Sequence, residues 1–379
     1  MKHPYKVAIA HDYLVEYGGA ERVLESIHRL FPDAEVYTSF VSPKTLGVQW
    51  ERFSSWKIHT SWAQKIPFIE KLYSPLRALS ANMFRSFKIP EDVDVLISST
   101  NMYMAKAIQA PKNAVHISYI HTPPRSLYGY STMSDWKKNP VVRVGGEIIN
   151  HVMRMVDFET AQKPDLLIAN SKEVQKRIQT YYRRSSTVIY PPIIQPSSII
   201  KKQTHTKPEI VFIGRLAASK HPDLVVKACI ELKLPLTIIG TGKMLTKLQD
   251  MAQEFEFIRF EGFVKDKDLG KWYQHANVLV YPAEDEDFGM IPIEALSYGT
   301  PVVVHRSGGF LETIEEGEHG FFMNELSVQD CKKAVQNALK HNWNQKVLMK
   351  RATEFSEARF HRDLLKAIQK LRQSIGSNS

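Results

Sequence analysis

The chain is predicted to fold as two α/β domains, each built on a parallel sheet with helices on both faces. Both halves of the sequence alternate short strand-like segments with helix-like segments. Several strand-like segments are continuous apolar runs, which is typical of strands buried on both faces of a parallel sheet. A polar segment at Gln195–Lys207 separates the halves. With 379 residues, the chain is long enough to form two such domains.

The first half begins with an apolar run at Tyr5–His11, followed by a Gly-Gly turn and a helix pattern that ends near Phe31. Pro191 and Pro192 end its last predicted strand, since proline cannot donate to a strand ladder. Its further strands are predicted at Ala34–Thr38, Val93–Ser98, Ala114–Ile120, Asp165–Ala169 and Thr187–Tyr190.

The second half restarts the same alternation and ends in a strand-free helical region from Trp343 to Arg372. Helices are predicted at Ser219–Leu232 and Lys243–Glu254. The strands of this half are predicted at Glu209–Ile213, Leu236–Ile239, Phe257–Glu261, Val278–Tyr281 and Pro301–Val304. Two domains of alternating strands and helices imply two doubly wound, Rossmann-like folds.

The composition is that of an ordinary globular protein, with 43% apolar and 24% charged residues. This balance excludes a disordered chain, a coiled coil and a collagen-like fibre. No apolar stretch approaches the roughly 18 residues of a transmembrane helix, so none is expected. The N-terminus lacks the pattern of a signal peptide, and we therefore expect a cytoplasmic protein. Two cysteines are too few for a disulfide framework or a cysteine-rich metal site.

The net charge of +10 favours anionic partners. Between Lys44 and Lys88, eight basic and two acidic residues give a local net charge of +6. Aromatic residues are interleaved with these charges, namely Trp50, Phe53, Trp56, Trp62, Phe68, Tyr73, Phe84 and Phe87. This pattern predicts peripheral contact with an anionic membrane surface. The alternative is that the aromatics lie in the domain core and the charges form a solvated face. No nucleic-acid-binding module is visible, and no nucleic-acid partner is expected.

Glycine and histidine motifs follow two predicted strands of the first half, where ligands bind in open α/β sheets. Gly18 and Gly19 lie at a strand-to-helix turn, where they allow close approach of a ligand and the new helix offers N–H groups to an anion. The alternative is a plain tight turn. His121 opens the stiff loop His121–Arg125, which contains two prolines. Its strand-end location favours a functional role over a purely structural one.

Charged motifs follow two strands of the second half. Arg215 and Lys220 lie in the loop after its first strand, and a guanidinium fork together with an ammonium suits a diphosphate. Glu286 and Glu294 are separated by seven residues, with an apolar Phe-Gly-Met-Ile turn between them. Pro292 fits the first turn of a helix, so Glu286 is predicted in a loop and Glu294 inside the helix. Such carboxylates can accept hydrogen bonds from vicinal hydroxyls of a ribose or a hexose.

Together these residues resemble the GT-B retaining glycosyltransferases of glycosyltransferase family 4. The His121–Arg125 segment is similar to members that transfer mannose to lipid-linked or cell-surface polysaccharides. One departure is that Lys220 is followed by His221-Pro222, where many members have a small or amide residue. The matching parts are the Gly18-Gly19 loop, His121, Arg215 with Lys220, Glu286-x7-Glu294 and Gly299-Thr300-Pro301-Val302.

The resemblance implies two Rossmann-like domains that face each other across a cleft. Residues 1–195 would bind the acceptor and residues 196–357 the donor nucleotide, with a final helix, 358–379, crossing back to the first domain. The implied activity is transfer of a hexose, with mannose from GDP-mannose favoured, onto a hydroxyl of a glycan or lipid-linked acceptor. This suggests a role in polysaccharide or lipopolysaccharide biosynthesis, with the protein peripheral on the inner face of the cell membrane. No metal or other cofactor is expected to be required.

The resemblance also implies a role for each site residue. Arg215 and Lys220 would hold the donor diphosphate and stabilise the leaving group. Glu286 would bind hydroxyls of the donor sugar, Glu294 the ribose, and His121 the sugar near the reacting carbon. Gly262, Phe263 and Val264 would border the base of the donor, and Gly18 and Gly19 would lie close to its phosphates. The backbone N–H groups of Phe288, Gly289 and Met290 would bind the sugar and phosphate.

Four alternatives stay open at this point. The first alternative is that the donor is a UDP-sugar rather than GDP-mannose. Asp285-x-Asp287 matches the metal-binding carboxylate pair of GT-A glycosyltransferases. Leu236–Gly242 followed by Glu261 partly matches a dinucleotide fingerprint, as in a nicotinamide-dependent oxidoreductase, but its third glycine position is Leu245. Finally, a protein of this fold can bind sugar nucleotides without catalysis.

Overall fold

The computed structural model describes residues 4–130, 140–196 and 208–376. The described residues divide into two compact units. The first extends to Pro192 and also includes the C-terminal helix, and the second runs from Ile193 to Ser356. The predicted linker, Gln195–Lys207, lies almost entirely outside the described residues. None of the described helices is both long and apolar enough to cross a membrane.

The first unit is built on a seven-stranded parallel sheet with the order β3-β2-β1-β4-β5-β6-β7. Every residue of β1, β4 and β5 is buried, as the continuous apolar runs predict. β3 was not predicted, because this three-residue edge strand is half-buried to exposed and carries His59 and Thr60. The strands are β1 (Val7–His11), β2 (Glu35–Thr38), β3 (Ile58–Thr60), β4 (Val95–Thr100), β5 (Val115–Ile120), β6 (Leu166–Ala169) and β7 (Thr187–Val188).

The helices of the first unit include the last helix of the chain. Phe360, Leu364 and Ile368 repeat every four residues on one face of this C-terminal helix and are buried with α1 and the central strands. Burying each such side chain contributes about 1.5–3 kcal/mol, which explains why this helix packs on the first unit. The helices are α1 (Gly19–Leu30), α2 (Pro43–Leu46), α3 (Ile69–Leu76), α4 (Ser80–Arg85), α5 (Pro140–Ala161), α6 (Lys172–Tyr182) and the C-terminal helix (Glu357–Gly376).

The second unit is built on a six-stranded parallel sheet with the order β10-β9-β8-β11-β12-β13. Its strands are β8 (Ile210–Ile213), β9 (Leu236–Ile239), β10 (Ile258–Gly262), β11 (Val278–Tyr281), β12 (Val302–His305) and β13 (Gly320–Met323). Its helices are α7 (Pro222–Leu232), α8 (Leu245–Ala252), α9 (Asp266–His275), α10 (Met290–Ser297), α11 (Phe310–Thr313), α12 (Val328–Lys340) and α13 (Gln345–Thr353). The predicted fold class, two doubly wound parallel sheets with helices, is thus confirmed, although β13 was not predicted.

The helix predicted from Ser219 begins three residues later. Residues Ala218–Lys220 form a 3₁₀ turn, and His221 takes a left-handed conformation with φ of 47°. Pro222 then starts α7, where its missing N–H costs no helical hydrogen bond. The unusual Lys220-His221-Pro222 sequence therefore delays the helix and leaves Lys220 in the strand-end loop.

Candidate active site

The strand order of the second unit reverses between β8 and β11, which are parallel neighbours. In open α/β sheets, ligands bind at this switch point, outside the carboxyl ends of the strands. Arg215 and Lys220 follow β8, and Glu286 follows β11. The topology therefore places these three predicted site residues at one edge of the sheet.

Lys220 and Glu286 form an ion pair in which the ammonium donates to Oε2 of the carboxylate. Their side chains are only 20% and 17% exposed, so water screens the pair less than a surface pair. The two loops are also joined by the backbone N–H of Glu284, which donates to the carbonyl of Ser219 at 3.0 Å. The Lys220 ammonium lies 5.5 Å from the ring centroid of Tyr281, whose pKa burial raises to about 12.

Gly308 and Gly309, after β12, pack directly against the Glu286 loop. The N–H of Gly309 donates to the carbonyl of Glu286 at 2.8 Å. A Cβ atom at Gly309 would lie 2.5 Å from Cα of Phe288, and Gly308 has a left-handed φ of 55°. The packing of Gly308 and Gly309 against the Glu286 loop was not predicted, although a Gly-Gly pair soon after a predicted strand is a signal for close backbone approach.

The helix that follows Glu286 starts where the Phe-Gly-Met-Ile motif predicts. Gly289 caps α10 with a left-handed φ of 87°, and a Cβ there would overlap the ring of Phe310. Phe288 is buried and packs edge-to-face on Phe355, with 5.4 Å between ring centroids. Met290 begins α10, whose first N–H groups have no partner within the helix. The predicted contacts of residues 288–290 with the donor remain predictions.

Glu294 lies inside α10, as predicted, and only 3% of it is exposed. Its carboxylate accepts a hydrogen bond from the Tyr273 hydroxyl at 2.9 Å. Tyr273 in turn stacks on Tyr298 with 5.5 Å between ring centroids. This arrangement fixes the carboxylate next to α9, and its role in ribose binding stays a prediction.

Gly262 ends β10, two strands away from β8, and Phe263 and Val264 follow it. Gly262 has a left-handed φ of 64°, and Phe263 is 55% exposed. The carbonyl of Gly262 accepts from the N–H of Gly240 at 2.8 Å. Contact of residues 262–264 with the nucleotide base remains a prediction.

Close packing accounts for the glycines of the partial dinucleotide fingerprint. A Cβ at Gly240 would overlap the carbonyl of Gly214, and one at Gly242 would overlap that of Leu216. The two loops are paired through the N–H of Leu216, which donates to the carbonyl of Thr241 at 2.9 Å. These glycines thus have a structural reason that needs no dinucleotide.

The strand order of the first unit reverses between β1 and β4, and a polar network lies there. Nδ1 of His11 is 3.0 Å from Oγ of Ser99, and the same Oγ is 2.8 Å from Nε2 of His121. Glu21 is 3.5 Å from Nε2 of His11 and accepts from the N–H of Gly18 at 2.8 Å. Sequence analysis predicted His121 and Gly18 but missed the three residues that join them.

The four side chains of this network, those of His11, Glu21, Ser99 and His121, are all buried. His121 is 7% exposed, and burial lowers its pKa to about 4, so its ring is neutral near pH 7. Burial alone would raise the pKa of Glu21, but its contacts with His11 and with the N–H groups of Glu21 and Gly18 lower that pKa below the usual value. The network therefore contains a carboxylate at neutral pH.

Gly18 and Gly19 occupy the start of α1. Gly18 is the N-terminal capping residue, in an extended conformation, and Gly19 is the first helical residue. Gly18 therefore does not need the left-handed conformation that glycine tolerates. A Cβ there would meet the Glu21 carboxylate at 3.4 Å, an ordinary van der Waals distance, so the cap itself does not require glycine.

Asn170 lies beside His121 at the end of the neighbouring strand, because Ile120 of β5 is in register with Ala169 of β6. It is 6% exposed, and its Oδ1 has no hydrogen-bond partner in the part of the chain that the structure describes. The loop after His121 is held by Arg177, which donates to Thr122 at 3.1 Å. An asparagine at a predicted strand end was a signal that sequence analysis passed over.

Across residues 4–130, 140–196 and 208–376, no group of three His, Cys, Asp or Glu side chains is placed to hold a metal ion. Asp285 and Asp287 lie in the Glu286 loop, where Asp285 has a left-handed φ of 50°.

The second unit is similar to a known family of proteins. Residues 195–358 match the family model for glycosyl transferases group 1. The matched range contains Arg215, Lys220, Glu286 and Glu294 in the arrangement described above. The sulfoquinovosyl transferase SQD2 of Arabidopsis thaliana is 31% identical over 157 residues, which cover 40% of this chain and 30% of that protein. The chain spans about a third of the length of the first curated relatives that it matches.

Solved glycosyltransferase structures share the fold over almost the whole chain. Sucrose-phosphate synthase from Thermosynechococcus elongatus has a TM-score of 0.74 at 16% identity, covering 97% of this chain and all of that one. The HepE protein of Anabaena, solved in complex with UDP-glucose, has a TM-score of 0.68 at 16% identity with the same coverage. At such identities the likeness shows the fold alone.

Proposed function

We propose that the chain is a retaining glycosyltransferase that moves a hexose from a nucleoside diphosphate sugar to a hydroxyl of a glycan or lipid-linked acceptor. The observation that carries this proposal is the partly buried Lys220–Glu286 pair at the β8/β11 switch point. It lies within the range that matches glycosyl transferases group 1. A cation and a carboxylate side by side suit a diphosphate bonded to a polyhydroxyl sugar.

In the proposed reaction, the bond between the sugar and the diphosphate breaks while the acceptor hydroxyl attacks from the same face. The acceptor hydroxyl passes its proton to the departing diphosphate oxygen. Arg215 and Lys220 neutralise the charge that grows on the departing diphosphate, which is the usual source of electrostatic catalysis. Glu286 exchanges its ammonium partner for sugar hydroxyls and orients the reacting carbon. Glu294, held by Tyr273, accepts the ribose hydroxyls. The family resemblance alone assigns His121 to the sugar near the reacting carbon.

The favoured donor is GDP-mannose, and the alternative is a UDP-sugar. GDP-mannose is supported by the resemblance of the His121–Arg125 segment to mannose-transferring family members. The UDP alternative is supported by HepE, a structural neighbour solved with UDP-glucose.

A panel of donors tests both the activity and the donor. The purified chain is incubated with GDP-mannose, UDP-glucose, UDP-galactose and UDP-N-acetylglucosamine, and release of nucleoside diphosphate is measured. Release from GDP-mannose alone supports the favoured donor, and release from a UDP-sugar supports the alternative. If no donor releases a nucleoside diphosphate and calorimetry detects no binding of GDP or UDP, the proposed function is wrong.

Arg215→Ala and Lys220→Ala are each expected to weaken binding of the nucleoside diphosphate. A charge-assisted contact is worth about 1.5–3 kcal/mol, so the dissociation constant should rise roughly 10- to 150-fold in calorimetry. The matched control is Lys227→Ala, which removes the same charge from an exposed position of α7. Equal affinities of both variants and wild type would remove these residues from the donor site.

We expect the activity to persist in a strong metal chelator. Arg215 and Lys220 supply two positive charges for the diphosphate, so a divalent ion is not needed for neutralisation. The measurement is donor turnover with and without EDTA. Complete loss that Mg²⁺ or Mn²⁺ restores would instead favour metal binding by Asp285 and Asp287.

We also propose that the first unit contacts an anionic membrane surface, with a different set of residues from the one predicted. Phe53 and Phe84 are buried in the core, contrary to the membrane interpretation. Four further aromatics of the segment are partly buried against the core, namely Trp50, Trp56, Tyr73 and Phe87. Only Trp62 and Phe68 of the eight are exposed, at 42% and 69%. The alternative interpretation was thus correct for most of the aromatics.

Helix α5 adds exposed apolar side chains to this surface. Ile148, Val152 and Met155 are 64%, 50% and 56% exposed, and their spacing places them on one helix face. α5 lies beside α4, because Arg85 of α4 pairs with Glu159 of α5 at 3.1 Å. Exposed apolar residues next to the basic segment 44–88 fit the boundary between lipid head groups and hydrocarbon.

Sedimentation with vesicles is expected to show binding that needs anionic lipid and decreases as salt rises, because about 1 kcal/mol per basic residue comes from the surface potential. Lys65→Glu with Lys71→Glu should weaken binding, since both side chains are exposed. The control is Lys340→Glu with Lys346→Glu, the same charge change at exposed positions of the second unit. No sedimentation with phosphatidylglycerol vesicles at low salt would show that the segment is a solvated face.

A further inference from the structure

We infer that Glu21, His11 and Ser99 are positioning residues, which form a hydrogen-bonded relay that fixes the tautomer and orientation of His121. The inference rests on the proposed function only for the statement that His121 meets a sugar. The relay itself is a property of the first unit and is measurable without any substrate.

Four elements of the first unit contribute one member each. His11 ends β1 and is in register with Ser99 of β4, and His121 directly follows β5. Glu21 lies in the first turn of α1, where it also caps the helix through the N–H of Gly18. The three contacts measure 3.5, 3.0 and 2.8 Å from the carboxylate to His121. All four side chains are at most 7% exposed, so bulk water does not compete for these bonds.

The carboxylate gives the relay a direction. In the neutral form of His11, the proton lies on Nε2, which faces Glu21 and donates to the carboxylate. Nδ1 of His11 is then an acceptor and receives the hydroxyl proton of Ser99. The Ser99 oxygen in turn accepts from Nε2–H of His121. Each bond fixes the next, because a neutral imidazole has one donor and one acceptor nitrogen.

The result is that Nδ1 of His121 is an acceptor. It is suited to receive a hydrogen bond from a sugar hydroxyl, and it cannot donate one to an oxyanion. A protonated His11 would reverse the relay and turn Nδ1 of His121 into a donor. The nearby Asp12 is not part of the relay, because its carboxylate already accepts hydrogen bonds from the Thr100 hydroxyl and from four backbone N–H groups. These N–H groups belong to Asn101, Met102, Tyr103 and Ala105.

Long-range ¹H–¹⁵N correlation spectra of the full chain labelled with ¹⁵N-histidine test the relay. The His121 signals are assigned by their loss in His121→Gln. We expect the Nε2–H tautomer in wild type and a mixture of both tautomers in Ser99→Ala. Ser99→Thr keeps a hydroxyl and should restore the wild-type spectrum. The control is Ser98→Ala, whose hydroxyl contacts His116 and Ser118 instead and which should leave His121 unchanged.

A second readout separates the relay from the proposed function. With the favoured donor, Ser99→Ala should lower kcat roughly 2- to 12-fold, the effect of one neutral hydrogen bond, and Ser99→Thr should recover it. A fixed tautomer without any glycosyl transfer would leave the relay standing and overturn the proposed function. An Nδ1–H tautomer in wild type, or no change of tautomer in a folded Ser99→Ala, would overturn the relay. Circular dichroism shows whether each variant folds, and if Ser99→Ala does not fold, the wild-type tautomer decides alone.

Discussion

Glu286→Ala is expected to lower turnover by about 10²–10³-fold, or 2.7–4 kcal/mol, by analogy with the loss of one donor from an oxyanion hole. The carboxylate lies at the end of β11 next to Lys220, where a donor sugar would be held. The same substitution releases the Lys220 ammonium from its partner. Binding of the nucleoside diphosphate should therefore stay unchanged or become tighter while turnover falls.

Steady-state donor turnover and calorimetry with the nucleoside diphosphate measure the two effects separately. The matched control is Glu284→Ala, which removes a carboxylate two residues away whose side chain is 43% exposed. Its Oε2 lies 3.7 Å from Nε2 of His221, and the substitution keeps the backbone hydrogen bond of residue 284 to Ser219. Near-normal turnover in Glu286→Ala would contradict the assignment of this residue to the sugar.

The periodicity of the sequence predicted most of the second unit's sheet and the loops that carry its charged residues. β9 and β11 have the predicted bounds, because their apolar runs end abruptly at glycine or proline. The edge strands β3 and β13 were missed. β3 has only three residues and is half-buried to exposed, and β13 begins with Gly320, a residue type that is depleted in strands. Helix α7 starts later than predicted, since His221 takes a left-handed conformation that no periodicity reveals.

Contacts between distant residues were out of reach of sequence analysis. Lys220 and Glu286 are 66 residues apart, and although each was predicted near a strand end, their ion pair was not predicted. His11 and Ser99 are 88 residues apart, and neither belongs to a recognisable motif. The sequence also did not reveal which aromatic side chains are buried. Within the basic, aromatic segment 44–88, Phe53 lies in the core and Phe68 on the surface. Tertiary packing, which the sequence pattern does not reveal, decides which aromatic side chain faces the solvent.

Asp157→Ala is expected to destabilise the first unit by about 3–5 kcal/mol, the cost of leaving a buried charge without its partner. The Lys106 ammonium donates to Oδ1 of Asp157 at 2.5 Å, and the two side chains are 1% and 0% exposed. The Tyr128 hydroxyl donates to the other carboxylate oxygen at 2.8 Å. Asp157 is on α5 and Lys106 in the turn after β4, so this pair fastens α5 to the sheet.

The surface pair on the same helix provides the control. Glu159→Ala removes the partner of Arg85, whose side chain is 35% exposed, and should cost no more than about 1 kcal/mol. Hydrogen exchange of peptides from β4 and β5 measures the free energy of opening of the first unit alone. A global unfolding curve would instead treat the unfolding of both units as one transition. Lys106→Met together with Asp157→Leu should recover most of the loss, because apolar side chains of similar size need no partner. Equal protection of Asp157→Ala and Glu159→Ala would show that the buried pair does not hold α5 in place.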